Sequence, residues 1–264
     1  MNAGRLRFGA TRPGSRILSI GILGGLIALW EVAVRVTATP DWFLPPPSAV
    51  ARALIESRDL LAANTWVTLQ EILIGLGVAL VVGVAAAIAI AGSPVLGRMV
   101  YPLTVTSQAI PIVALAPILL IWFGYGIAPK VIVVALVCFF PITVNLTDGL
   151  RGVDPAMIDL LRTMGATRGQ IFRVVRLPAE LPFLFSGLRG AATVSGFGAL
   201  IGEWVGASAG LGYVMTRAAA QFLTARLFAA VLVAAALSLA LFAVVGWLER
   251  WAMPWRRVQR SNGA

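Results

Sequence analysis

Apolar residues in this chain fall in long unbroken runs rather than in the alternating or 3.6-residue rhythm of a soluble fold. Runs at 17–36, 67–91, 100–122, 127–146, 183–204 and 227–248 are each about 20 residues or longer, enough for a helix rising 1.5 Å per residue to cross a hydrocarbon layer. They predict an all-α polytopic membrane protein of about six spans, with a basic N-terminus at 1–16 and a basic tail at 249–264. Nothing alternates over ~10 residues as a barrel strand does. The first run follows a charged stretch, as in a signal peptide, but it is long for one and no small-x-small cleavage site follows, so it reads as an anchor.

Two interruptions depart from simple hairpins. Prolines 102, 111, 117 and 141 lie within the expected spans, and broken helices persist in a membrane where protein or a water-lined cavity satisfies the freed backbone groups. The stretch "QAIPIVALAPILLIWFGYG" is therefore either a pathway-lining helix or a bent packing helix. The other interruption is the polar segment 148–182. Asp154 and Pro155 form an N-cap and first-turn pair, Met157, Leu160, Leu161 and Met164 make an apolar stripe, and Gly165 stops the helix. A second short helix follows, with Thr167 as its cap, Ile171, Val174 and Val175 on one face, and Pro178 at its end. Two amphipathic helices meeting at a glycine form a knob with an apolar stripe outside the membrane, which calls for a groove in a partner.

Between the spans, "SAVARALIESRDLLAANTW" reads as a short helix lying along the outer interface, capped by Ser48. "GSPVLGR" and "FGYGIAPK" read as tight turns, and "VGASAGLGYVMTRAAAQFLTAR" as a longer outer loop. Trp30, Trp66, Trp122, Trp204 and Trp247 sit at span ends, where amphipathic rings favour the interface; Trp247, Trp251 and Trp255 share a face at the inner one.

Only 12% of residues are charged, about half the share of soluble chains. The net charge of +10 reports orientation rather than a nucleic-acid or anionic partner. With the N-terminus inside, 14 of the 21 basic residues fall on the cytoplasmic side, as the positive-inside rule requires. The chain has no histidine, which excludes Ser/His/Asp catalysis, and no G-x-x-x-x-G-K-[ST] phosphate loop. Cys138, mid-span, reads as a small apolar residue.

The segment resembles the signature of permease subunits of binding-protein-dependent ABC importers: EAA, three residues, Gly, nine residues, Ile, one residue, Leu-Pro. It falls here on Asp159-Leu160-Leu161, Gly165, Val175, Leu177 and Pro178, with Asp for Glu, Leu-Leu for Ala-Ala and Val for Ile. "LPPPSAV", "TLQEILIG", "PIVALAPILLIWFGYG" and "GEWVGASAGLGYVM" are similar to the nitrate/sulfonate/taurine branch, which includes vitamin-precursor members, and the likeness covers about residues 40–250. The resemblance implies a homodimer in the bacterial plasma membrane, two cytoplasmic ATPase subunits carrying ATP and Mg, and an external solute-binding protein. It makes Asp159, Leu160, Leu161, Gly165, Ala166, Val175, Leu177 and Pro178 the ATPase-coupling residues.

Polar residues inside spans are costly and so are functional candidates. Ser107, Gln108, Thr193, Ser195 and Glu203 are the pathway candidates, Glu203 competing with a carboxylate that snorkels to the outer interface. Arg189 is expected to snorkel inward or to pair with Asp148 or Glu180. Gln70, Glu71 and Glu31 suit interhelical hydrogen bonds, and "SGFGALIG" suits a close helix crossing, a dimer axis included. A secondary transporter remains the alternative reading, although it would normally show internal repeats, and none is evident. An integral-membrane enzyme would need clustered acids, histidines or metal ligands, whereas the eleven acids are scattered.

Overall fold

A computed structural model of the chain describes residues 13–106, 109–152 and 154–254. Among them the structure is helical throughout: α1 (Pro13–Val36), α2 (Pro47–Glu56), α3 (Arg58–Gly92), α4 (Pro94–Thr106), α5 (Ile112–Phe123), α6 (Ala128–Arg151), α7 (Pro155–Thr163), α8 (Arg168–Ile171), a π-helical turn (Phe172–Arg176), α9 (Leu177–Trp204), α10 (Leu211–Ala220) and α11 (Thr224–Ala252). Four continuous helical stretches, 58–92, 128–151, 169–204 and 224–252, are long and apolar enough to cross a membrane. The first expected span lies in α1, a helix of 24 residues. The basic N-terminus up to residue 12, Ser107, Gln108, and the tail from Trp255 lie outside the described residues.

The third expected span is two helices. Pro111 is the N-cap of α5 in extended geometry (φ −68°, ψ 107°), and a proline disfavours helix in the residue before it. Only Ser93 separates the end of α3 from Pro94, where α4 begins, so the expected turn "GSPVLGR" is mostly helical. Helix α3 starts nine residues before the expected span; at 35 residues it is about 52 Å long, well beyond a hydrocarbon layer. Ser48 is not a cap, because Pro46 occupies that position ahead of Pro47. Its hydroxyl and N–H instead donate to Glu31 of α1, at 2.8 and 3.0 Å. The expected loop after Trp204 folds into α10, whose Leu211, Val214, Met215 and Ala218 form a buried stripe at helical spacing.

The centre of the bundle is α6, packed between α3 and α9, with α11 against the other side of α9. Ile72 and Ala79 of α3, Val134, Cys138 and Ile142 of α6, and Ala191 and Ala199 of α9 form its buried core. Small residues let the backbones approach. Gly198 faces Val134 and Val137 of α6, Gly202 faces Lys130, and Gly196 faces Ser238 of α11. The "SGFGALIG" stripe is thus occupied by helices of its own chain.

Candidate functional site

The bundle has a polar construction at each end. The first is the elbow formed by α7, α8 and the π turn. Asp154 caps α7 by accepting the Ala156 N–H at 2.9 Å. The helix closes in a Schellman motif: Ala166 N–H donates to Leu161 O and Gly165 N–H to Arg162 O, both at 3.0 Å. Gly165 supplies the left-handed conformation (φ +83°) that this closure needs, and among the described residues no atom beyond its chain neighbours lies within 4 Å of where its Cβ would be. Thr167 and Gln170 then form a reciprocal capping box, with Thr167 N–H donating to Gln170 Oε1 at 2.8 Å and Gln170 N–H to Thr167 Oγ1 at 3.4 Å.

Ile158, Ile171 and Val175 are buried at the elbow's joint, whereas Met157, Leu160 and Met164 point away from the fold, Met164 being 74% exposed. Leu161 and Ala166 are half-buried, and Asp159 is exposed and paired with Arg162 at 3.1 Å. Val174 is exposed, unlike its expected neighbours Ile171 and Val175. Leu177 is exposed and Pro178 half-buried. Pro178 does not end the helix: the chain runs helically from Gly169 to Trp204. A proline clashes with the carbonyl four residues back and has no N–H to bond it. The wider π turn at Phe172–Arg176 accommodates that defect without breaking the rod.

At the opposite end, four helices converge on a buried network. Asn64, Thr68 and Glu71 lie on one face of α3, four and three residues apart. Glu203, the penultimate residue of α9, is 1% exposed and therefore does not snorkel to an interface. Thr68 Oγ1 donates to Glu203 Oε1 at 2.6 Å and accepts the Leu211 N–H at 2.9 Å. Glu203 Oε2 accepts the Gly212 N–H, and the Gly210 N–H donates to Asn64 Oδ1 at 2.7 Å. Three successive N–H groups at the start of α10 are thereby satisfied by side chains of α3 and α9. A carboxylate at a helix N-terminus also opposes the helix dipole. A Cβ at Gly210 or Gly212 would strike the Glu203 side chain, so both glycines are required for this seat. Beside it, Lys130 of α6 pairs with Glu71 at 2.8 Å, both largely buried.

The network accounts for the "GEW…GLG" pattern as an anchor that binds α3, α6, α9 and α10 into one unit. Sequence reasoning nominated Glu203 and Glu71 but passed over Asn64, Thr68 and Lys130. The polar face on an otherwise apolar α3 was the available signal. The other pathway candidates are placed apart from it: the Ser195 hydroxyl is buried and donates to Ala192 O at 2.9 Å, and Thr193 is exposed on α9 with its hydroxyl on Arg189 O at 3.0 Å. Arg189 pairs with Glu249 of α11 at 2.6 Å, not with Asp148 or Glu180, because its helix face turns toward α11.

The family model for "Binding-protein-dependent transport system inner membrane component" matches residues 79–257. The chain is 40% identical to a probable ABC transporter permease protein of Haemophilus influenzae, over 86% of this chain and 93% of that protein. It is 40% identical to the formylaminopyrimidine transport permease protein ThiX of Halalkalibacterium halodurans, over 89% of this chain and 94% of that one. With the riboflavin transport system permease protein RibX of Chloroflexus aurantiacus the identity is 34%, over 87% of each chain.

Proposed function

This chain belongs to the family of binding-protein-dependent transport system inner membrane components, and we propose that it forms, as a homodimer, the membrane pathway of an ATP-driven importer for a small nitrogen heterocycle. It is an ABC transporter permease subunit. In this reading two separate ATPase subunits bind ATP and Mg on the cytoplasmic side, and an external binding protein delivers the solute. Both termini are cytoplasmic, the side favoured by the basic residues.

The observation that carries the coupling is the elbow: a rigid, doubly capped turn presenting Met157, Leu160 and Met164 outward. Such a stripe on a short helix suits an apolar groove in a partner. Val175, Leu177 and Pro178 join the elbow to α9, so a displacement of the elbow is transmitted along a single rod to Glu203 at the far end. Alternating access follows when ATP-driven closure of the ATPase pair moves two such rods together. Thr193, Ser195 and Glu203 on α9, with Ser107 and Gln108 between α4 and α5, are the proposed pathway and gate residues.

For the solute, relatives named for formylaminopyrimidine and riboflavin favour a pyrimidine- or flavin-type heterocycle over taurine, sulfonate or nitrate. Affinity purification of this chain from native membranes, with mass spectrometry of what accompanies it, tests the assembly. One ATPase per permease is expected, and its binding protein can then be screened for ligand. A clean homo-oligomer after crosslinking in the membrane would overturn the importer reading in favour of a secondary transporter.

A further inference from the structure

At the elbow end, α3, α6 and the start of α9 enclose a groove of about 340 Å³, the size of a site for a small ligand or headgroup. Its walls are apolar, formed by Ile88, Leu146, Leu181 and Leu184 among others, and are interrupted by Arg176 and Glu180, one turn apart. Glu180 is only 7% exposed. Its Oε1 is buried with no hydrogen-bond partner among the described residues, and Arg176 attracts the carboxyl from a distance without forming an ion pair with it. Burying a carboxylate without a donor is costly, so such a group points to a donor from outside the chain.

That donor must satisfy three conditions. It must bring a cation with N–H groups to Glu180, an anion to Arg176, and an apolar body to the leucine wall, all at the end of the bundle where the helices leave the membrane. We propose that this groove binds an amine-headed zwitterionic phospholipid of the inner leaflet, its ammonium on Glu180, its phosphate on Arg176 and an acyl chain along Ile88, Leu181 and Leu184. The leaflet rests on the orientation given above; the headgroup chemistry does not. A choline headgroup has the charge but no N–H to donate, and an anionic glycerol headgroup satisfies Arg176 but leaves Glu180 without a cation. The lipid would lie directly beneath the π turn, bracing the junction of elbow and rod.

The test is native mass spectrometry of the full chain in detergent, titrated separately with phosphatidylethanolamine, phosphatidylcholine and phosphatidylglycerol. Phosphatidylethanolamine is expected to be retained roughly tenfold over the other two, the scale of one charge-assisted hydrogen bond. Glu180→Gln should reduce that preference to near parity. Equal retention of the three lipids by the unaltered chain, or a preference that survives Glu180→Gln, overturns the proposal. So does efficient disulfide crosslinking between two copies through Ile88→Cys, which would make the groove a subunit contact. None of these readouts depends on an ATPase accompanying the chain, so the importer reading stands or falls separately.

Discussion

Glu203 accepts hydrogen bonds from a helix-terminal N–H and from a threonine whose own oxygen is already engaged by Leu211, and its carboxyl lies within hydrogen-bond reach of that of Glu71. Thr68→Val should remove the donor to Glu203 Oε1 and the acceptor of the Leu211 N–H. A cost of about 1–3 kcal/mol is expected for each buried group left unpaired, read as a fall in the thermal midpoint of the purified protein. An unchanged midpoint would mean that water or a partner chain fills the gap. The Lys130–Glu71 pair is more sensitive still. Lys130→Met leaves the buried Glu71 carboxyl without its cation and beside that of Glu203, and should cost about 3–5 kcal/mol, whereas adding Glu71→Gln should restore most of it. A double-mutant cycle with no coupling would show that the pair is not a unit. The sequence made Glu203 and Glu71 visible because a carboxylate in an apolar run is conspicuous. Asn64 and Thr68 were not, since amides and hydroxyls inside spans are common and only the fold shows that these reach α10.

Among the elements, prolines divide into those that break a helix and those that do not, and sequence alone does not separate them. Pro111 starts α5, whereas Pro102, Pro117, Pro141 and Pro182 lie inside helices. Four of the spans, the Asp154 and Thr167 caps and the Gly165 stop were legible because each is a local matter of hydropathy, capping chemistry or positive φ, whereas the Ser48 cap and the unbroken third span were misread. The π turn before Pro178 was not legible, because a proline ordinarily ends or kinks a helix and only the fold shows the chain running on through it as one rod. Helix α10 was missed for a different reason: its glycines and small residues resemble a loop until its Leu211, Val214, Met215 and Ala218 face is traced. Pro178→Ala restores a backbone N–H and removes the ring, so the π turn should relax toward α geometry and rotate the elbow relative to α9. The protein should still insert and remain stable, yet ATP-dependent uptake should fall severalfold or more. Full uptake with Pro178→Ala would remove the elbow's orientation from the mechanism.

For the molecule as a whole, the distribution of charge favours the proposed cytoplasmic elbow, and the chain carries its own means of checking this. Cys138, its one cysteine, is fully buried in the core between α3, α6 and α9, so it contributes almost no background to thiol labelling. Met164 on the elbow and Phe43 between α1 and α2 are both strongly exposed and lie at opposite ends of the bundle, so Met164→Cys and Phe43→Cys report the two faces independently. A membrane-impermeant maleimide should label Phe43→Cys in intact spheroplasts, and Met164→Cys only in inside-out vesicles. The reverse pattern would invert the orientation and with it the coupling proposal. A further distinction comes from the partner. If the stripe around Met164 is seated in an ATPase, labelling in inside-out vesicles should stay slow until the peripheral subunits are stripped, and then rise several-fold. Fast labelling both before and after stripping would leave the orientation intact but show that the elbow is free, which separates where the knob lies from what it binds.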